Sequence, residues 1–262
     1  MLREGGFRLL SRNGGFAFRL ALTLTSIGLV FVAWEIVHRY TAFLPPLSDV
    51  VEEMGKQLSD PGELASIIGT TLRRLVISVT IAYVGAVMTA LLMRRSAWWQ
   101  GFLSPYVLAM TATPSLVAAL LGVMIFGFSE TGVYVATAVV LYPYILLSLS
   151  EGFGNLDRLL AEMSMAYRFS SWQYYRHVGL PELTPHLFAA LRSAHALGWK
   201  IVVLVEVFGS GGGIGHQYKR AFDLFDLPLL MTWVIFFLGV VWAVEYGLLR
   251  PIGAYVVRWR TT

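Results

Sequence analysis

The chain has 262 residues, 56% of them hydrophobic and 14% charged, with a mean hydropathy of +0.65 and a net charge of +4. A soluble domain carries about 25% charged residues, so too few are present to clothe a soluble surface, and lipid must solvate much of it. The absence of cysteine excludes a disulfide scaffold, a cysteine nucleophile and a cysteine-ligated metal centre. The basic excess is spread through the loops, which suits membrane orientation and not nucleic-acid binding.

The first sixteen residues are basic and lead into an apolar stretch of about 20 residues. That stretch is too long for a signal-peptide core, and no small-x-small cleavage site follows it at Trp34 to Tyr40. An uncleaved first membrane helix is expected. Stretches long enough to span recur at about Ala17–His38, Thr71–Met93, Phe102–Phe126, Val133–Phe153, Pro185–Val207 and Leu227–Leu249. Their long apolar runs predict helices, because a barrel would show short alternating segments.

Charge sets the orientation. With a cytoplasmic N-terminus, Arg3, Arg8, Arg12, Arg19, Arg94, Arg95, Arg158, Arg168, Arg176, Arg250, Arg258 and Arg260 lie inside, against Arg39, Lys56, Lys219 and Arg220 outside. This asymmetry places both termini in the cytoplasm. Pro105 and Pro114 interrupt the third span and Pro143 the fourth. They read either as ordinary helix kinks or as bends that shape a translocation path. Nothing resembles a linker or repeat, so residues 1–262 form one domain.

Between the fourth and fifth spans, Glu151 to Thr184 is too polar to cross and too patterned for a slack loop. Leu156, Leu159, Leu160, Met163 and Tyr167 recur at helical spacing, with Asp157, Arg158 and Glu162 elsewhere. A turn at Arg168-Phe169-Ser170-Ser171 follows, and Ser170 with Gln173 fits a capping box. The second helix, about Ser171 to Val178, presents Trp172, Tyr174 and Tyr175. Leu180-Pro181 is expected to end it, with Pro185 opening the next span. Such a hairpin either lies on lipid or fits a partner's groove, and the missing lysine-rich face favours the partner.

The run Ala161-Glu162-Met163-Ser164-Met165-Ala166 through Trp172-Gln173, Val178, Leu180-Pro181 and Pro185 resembles the EAA loop of binding-protein-dependent ABC transporter permeases. Met163 and Ser164 stand where two alanines are usual, and Arg168 where glycine is usual. The likeness extends from about Leu44 to Trp259. It includes Leu44-Pro45-Pro46-Leu47-Ser48, Thr113-Pro114-Ser115 with Phe126-Gly127, and Glu206-Val207-Phe208-Gly209 with Gly213-Ile214-Gly215. That combination is most similar to the nitrate/sulfonate/taurine-type branch, which also includes importers of vitamin precursors. The resemblance implies an all-α integral membrane fold of the type I ABC importer kind. It would have six transmembrane helices and a cytoplasmic coupling-helix hairpin at about 154–181, between the fourth and fifth.

It implies ATPase-coupling contacts at Glu162, Ala166, Arg168, Trp172, Tyr175, Leu180 and Pro181, and a substrate path touching Thr113, Pro114, Ser115 and Tyr142. Implied partners are two ATP-binding subunits, a second permease copy, and a periplasmic or lipid-anchored substrate-binding protein. The setting is the bacterial inner membrane. The expected substrate is a small anion of sulfonate, nitrate or carboxylate type, with a vitamin or pyrimidine precursor as the alternative.

No G-x-x-x-x-G-K-[ST] sequence occurs, so ATP and magnesium are expected on the partner and no cofactor on this chain. The glycine run from Gly209 to Gly215 misses the G-x-G-x-x-G register and reads as a flexible outer turn. His38, His177, His186, His195 and His216 lack metal-type spacing, and no catalytic set converges. Lys200, beside Trp199 inside the fifth span, reads equally as an attractor for an anionic substrate or as a snorkelling lysine. Arg192 and Glu206 read as structural, and Arg73 and Arg74 as interface anchors. An ion-coupled secondary transporter is the rival class, but the spans hold few acids: Glu35, Glu206 and Glu245, near their ends. A membrane-embedded enzyme ranks last.

Overall fold

A computed structural model describes residues 14–41, 44–154, 158–209 and 211–256. Leu156, Asp157, Ser210, Trp259, Arg3, Arg8, Arg12, Arg258 and Arg260 lie outside these residues, as do the side chains of Ala17, Arg19, Arg158 and Ala161.

Every element among the described residues is helical: α1 Gly14–Tyr40, α2 Leu47–Leu58, α3 Pro61–Arg95, α4 Ala97–Ala112, α5 Ser115–Phe126, α6 Glu130–Gly154 and α7 Arg158–Ala166. They continue as α8 Ser171–Tyr174, α9 Leu180–Gly209, α10 Ile214–Asp223, α11 Leu227–Val244 and α12 Arg250–Val256. Single π-helical turns, Tyr175–Gly179 and Glu245–Leu249, join α8 to α9 and α11 to α12. Helix starts follow local chemistry. Asp60 accepts from the Glu63 amide at 2.9 Å with Pro61 behind it, and Asp226 does the same for Leu229 at 2.9 Å. Each carboxylate satisfies an orphan amide of a first turn.

Among the described residues, four helices are long and apolar enough to cross a membrane: Pro61–Arg95, Glu130–Gly154, Ser171–Gly209 and Leu227–Val256. The pair α4 and α5 makes a fifth if counted as one bent span. The bend there is 101°, so the expected third span is broken outright and not merely kinked. Pro114 causes the break: it disfavours helical backbone at Thr113, which is extended at φ −70° and ψ 126°. Pro105 and Pro143 stay inside continuous helices. Between the first two expected spans, α2 and the first turns of α3 occupy much of 39–70.

The core lies where α3, α6, α9 and α5 meet. On α3, Leu75, Val79, Ala82, Ala86 and Ala90 form one buried stripe, facing Val133, Ala136, Leu141 and Ile145 of α6 and Ala194 and Val202 of α9. Lipid tails are as apolar as leucine, so association here rests on close packing of small residues. Gly122 shows how close: a Cβ there would sit 2.8 Å from the Ala136 Cβ, an overpacking that costs about 1–3 kcal/mol. A smaller cluster of Ile214, Ala221, Leu229 and Trp233 seats α10 on α11. The Thr232 hydroxyl donates to the Val50 carbonyl at 3.3 Å, tying α2 to the same end.

Candidate functional site: an exposed hairpin and a buried ion cluster

α7 ends in a Schellman turn. The Phe169 amide donates to the Ser164 carbonyl and the Arg168 amide to the Met165 carbonyl, both at 3.0 Å. Arg168 has φ 53°, so a residue with a Cβ makes the left-handed turn that glycine usually makes. The capping box expected at Ser170 forms: its hydroxyl accepts from the Gln173 amide at 3.3 Å, and the Gln173 side chain accepts from the Ser170 amide at 2.9 Å.

The second arm differs from expectation in how it ends. Leu180-Pro181 does not stop it, and Pro185 lies inside α9. A proline ring clashes with the carbonyl four residues earlier, and the π-helical turn ahead of Pro181 widens the helix and gives that ring room. Ser171–Gly209 is therefore one continuous 39-residue helix. Trp172 is 71% exposed, and Leu159, Met165, Tyr167, Tyr175 and Leu180 are exposed beside Glu162, Ala166 and Arg168. Pro181 is half-buried, while Val178 and Gly179 are buried and fix the arm to the body.

The residues expected along a path separate into three places. Thr113, Pro114 and Ser115 form the elbow between α4 and α5, where Thr113 lines an apolar cleft of about 260 Å³ with Met110, Leu121, Pro143 and Tyr144. Tyr142 points to the seam with α3 and donates to the Thr89 hydroxyl at 2.8 Å, so it does not join the elbow. Lys200 is exposed, about 100° round α9 from the buried Trp199, and has no ion-pair partner among the described residues. Arg192 is paired with Glu245.

Sequence reasoning missed the best-built polar cluster. Arg74 is 2% exposed and is no interface anchor. It meets the buried Glu206 at 2.9 Å, the Gly212 carbonyl at 2.6 Å, and Glu130, to which Arg73 also reaches at 3.2 Å. The Thr71 hydroxyl donates to the Glu206 carboxylate at 3.0 Å and accepts from the Ile214 amide at 2.8 Å. The Gly215 amide donates to Glu206 at 2.9 Å. The end of the glycine run, Gly213 to Gly215, is thus closed on the Glu206 carboxyl group. Gly213, at φ 92°, has its missing Cβ position filled by that carboxyl group. The available signal was helical register. Thr71, Arg74, Leu75 and Ser78 share the buried face of α3, and an arginine inside that register needs a named partner.

The chain is an all-helical body with apolar helices long enough to cross a membrane and an exposed apolar hairpin. Residues 81–249 match the family described as binding-protein-dependent transport system inner membrane component, and the chain belongs to that family. Among relatives, the protein named for aliphatic sulfonates transport, the permease SsuC of Escherichia coli (strain K12), is 25% identical over 224 residues, covering 84% of each chain. The nitrate import permease protein NrtB of Synechococcus elongatus is 22% identical over 65% of this chain and 62% of its own. The same fold occurs in the MetNI methionine ABC transporter, with a TM-score of 0.65 and 16% identity over 74% of this chain and 96% of that one. Membership brings an ATPase and a substrate-binding protein as partners in general.

Proposed function

We propose that two copies of this chain enclose an alternating-access path for a small anionic solute, powered by two ATPase subunits that dock on the 158–181 hairpin. The observation that carries this reading is the exposed apolar hairpin whose second arm is one rod with α9. A partner that moves Trp172 and Tyr175 moves the membrane helix directly, with no hinge residue between them to absorb the motion. ATP and magnesium belong to the partner. The proposed topology has six spans, α1 supplying the first and the α4–α5 pair the third, with both termini in the cytoplasm.

The solute class rests on Lys200. An unpaired cation on an otherwise apolar stretch of helix costs about 3 kcal/mol or more in lipid, and facing a wet path with anionic cargo removes that cost. The relatives named for aliphatic sulfonates and nitrate support the same class. The relative named for formylaminopyrimidine, ThiX of Halalkalibacterium halodurans at 21% identity, marks the alternative cargo.

The test is uptake of radiolabelled methanesulfonate and nitrate into proteoliposomes holding the chain, its ATPase and its binding protein. Uptake that needs enclosed ATP and saturates with anion supports the proposal. Uptake that ignores ATP and collapses with an ionophore contradicts it.

A further inference from the structure

We infer that the outer mouth carries an anion-receiving site, built by Arg220 and His216 on α10 and continued inward to Lys200 on α9. It deepens, and rests on, the anionic-solute reading above. A cavity of about 790 Å³ opens between the end of α9 and α10, walled by Val207, Phe208, Phe128, His216 and Arg220. The charge inside it is not balanced. Lys219 is matched by Asp223 at 2.7 Å, which leaves Arg220 without an ion-pair partner among the described residues. The His216 Nδ1 is buried with no hydrogen-bond partner. His216 lines the cavity, so its ring can supply a polar group there.

These groups stand on a fixed platform. Ile214, Gly215 and Ala221 of α10 are buried, and the Gly215 amide is bonded to Glu206, so the cations do not swing freely with a loop. A further cation stands along the same face of α9. Lys200, Leu204, Val207 and Phe208 fall at i, i+4, i+7 and i+8 and so share one face of α9. Val207 and Phe208 are the cavity wall, which puts Lys200 roughly 10 Å below it at ~1.5 Å per residue. A cation with a donor at the mouth and a second cation one step inward suit a small oxyanion. The aromatic walls Phe128 and Phe208 suit one that carries an apolar group.

The permease–ATPase complex in nanodiscs, without its binding protein, is titrated by calorimetry with methanesulfonate and with its neutral isostere dimethyl sulfone. Methanesulfonate binds and dimethyl sulfone does not. Arg220→Gln, His216→Phe and Lys200→Gln each weaken methanesulfonate binding about tenfold, the size of a lost hydrogen bond to a charged group. Lys56→Gln, on α2 at the same end but outside the cavity, leaves it unchanged. No binding to the wild type, or full affinity in Arg220→Gln, overturns the site. So does an Arg220→Gln variant that keeps methanesulfonate but loses the binding protein, since it would mark a docking contact. Uptake separates this from the underlying reading. Normal methanesulfonate uptake in Arg220→Gln sinks the site alone, whereas a wild type that carries only neutral solutes sinks both.

Discussion

Glu206 has no exposed surface, and Arg74, Thr71 and the Gly215 amide all reach its carboxyl group. Removing Arg74 leaves the buried Glu206 carboxyl without its ion-pair partner, which costs about 3–5 kcal/mol. Removing Glu206 leaves Arg74 its bonds to Glu130 and the Gly212 carbonyl and so costs less, and replacing both by apolar groups is often neutral. Arg74→Met and Glu206→Leu are each expected to lower the thermal unfolding temperature and yield in detergent. The double variant should recover much of the loss. Single variants as stable as the wild type would contradict the role of the cluster as a clasp between α3, α9 and the glycine run. Little of this was legible beforehand, because two adjacent arginines at the head of an apolar run look alike. Arg73 and Arg74 are separated only by about 100° of helix, and that angle sends one into the core and the other toward solvent.

At the scale of elements, the hairpin was largely legible and the breaks were not. The apolar spacing of α7, the capping box at Ser170 and the turn at Arg168 all stand where their residue types put them. Local rules suffice when a segment's structure is set by its own neighbours. Pro114 and Pro181 show the limit, since the same residue type breaks one helix by 101° and is absorbed by a π-helical turn in the other. The difference comes from what surrounds each ring. Pro114→Ala is expected to let Thr113 turn helical and to cut uptake while sparing insertion and ATPase binding; unaltered uptake would remove the elbow from the mechanism. On the hairpin, Trp172→Ala should weaken ATPase capture by about 2 kcal/mol or more, as for a buried aromatic anchor. Glu162→Lys should impair both capture and transport. Normal ATPase affinity in both variants, measured on the inserted chain, would contradict the docking surface.

For the whole molecule, the continuous helix from Ser171 to Gly209 is roughly 58 Å long at ~1.5 Å per residue, about twice the hydrocarbon core. One rod therefore carries the exposed hairpin arm at one end and the Glu206 clasp near the other. That clasp joins α9 to α3 and to the loop before α10, so under the proposed mechanism motion entering at Trp172 would reach this end of the bundle through packed and hydrogen-bonded contacts. Composition and hydropathy made the membrane class and most of the spans legible, because lipid demands long apolar helices whatever the fold. They did not reveal α2 and α10, whose short amphipathic faces are covered only by α11 and its neighbours.

The most direct measurement is recovery of the chain from its host in a mild detergent, with its companions identified by mass spectrometry. A P-loop ATPase should accompany the wild type and be lost from Trp172→Ala. Recovery of the chain alone after chemical cross-linking, with uptake still intact, would contradict an ATP-driven permease and point to an ion-coupled carrier.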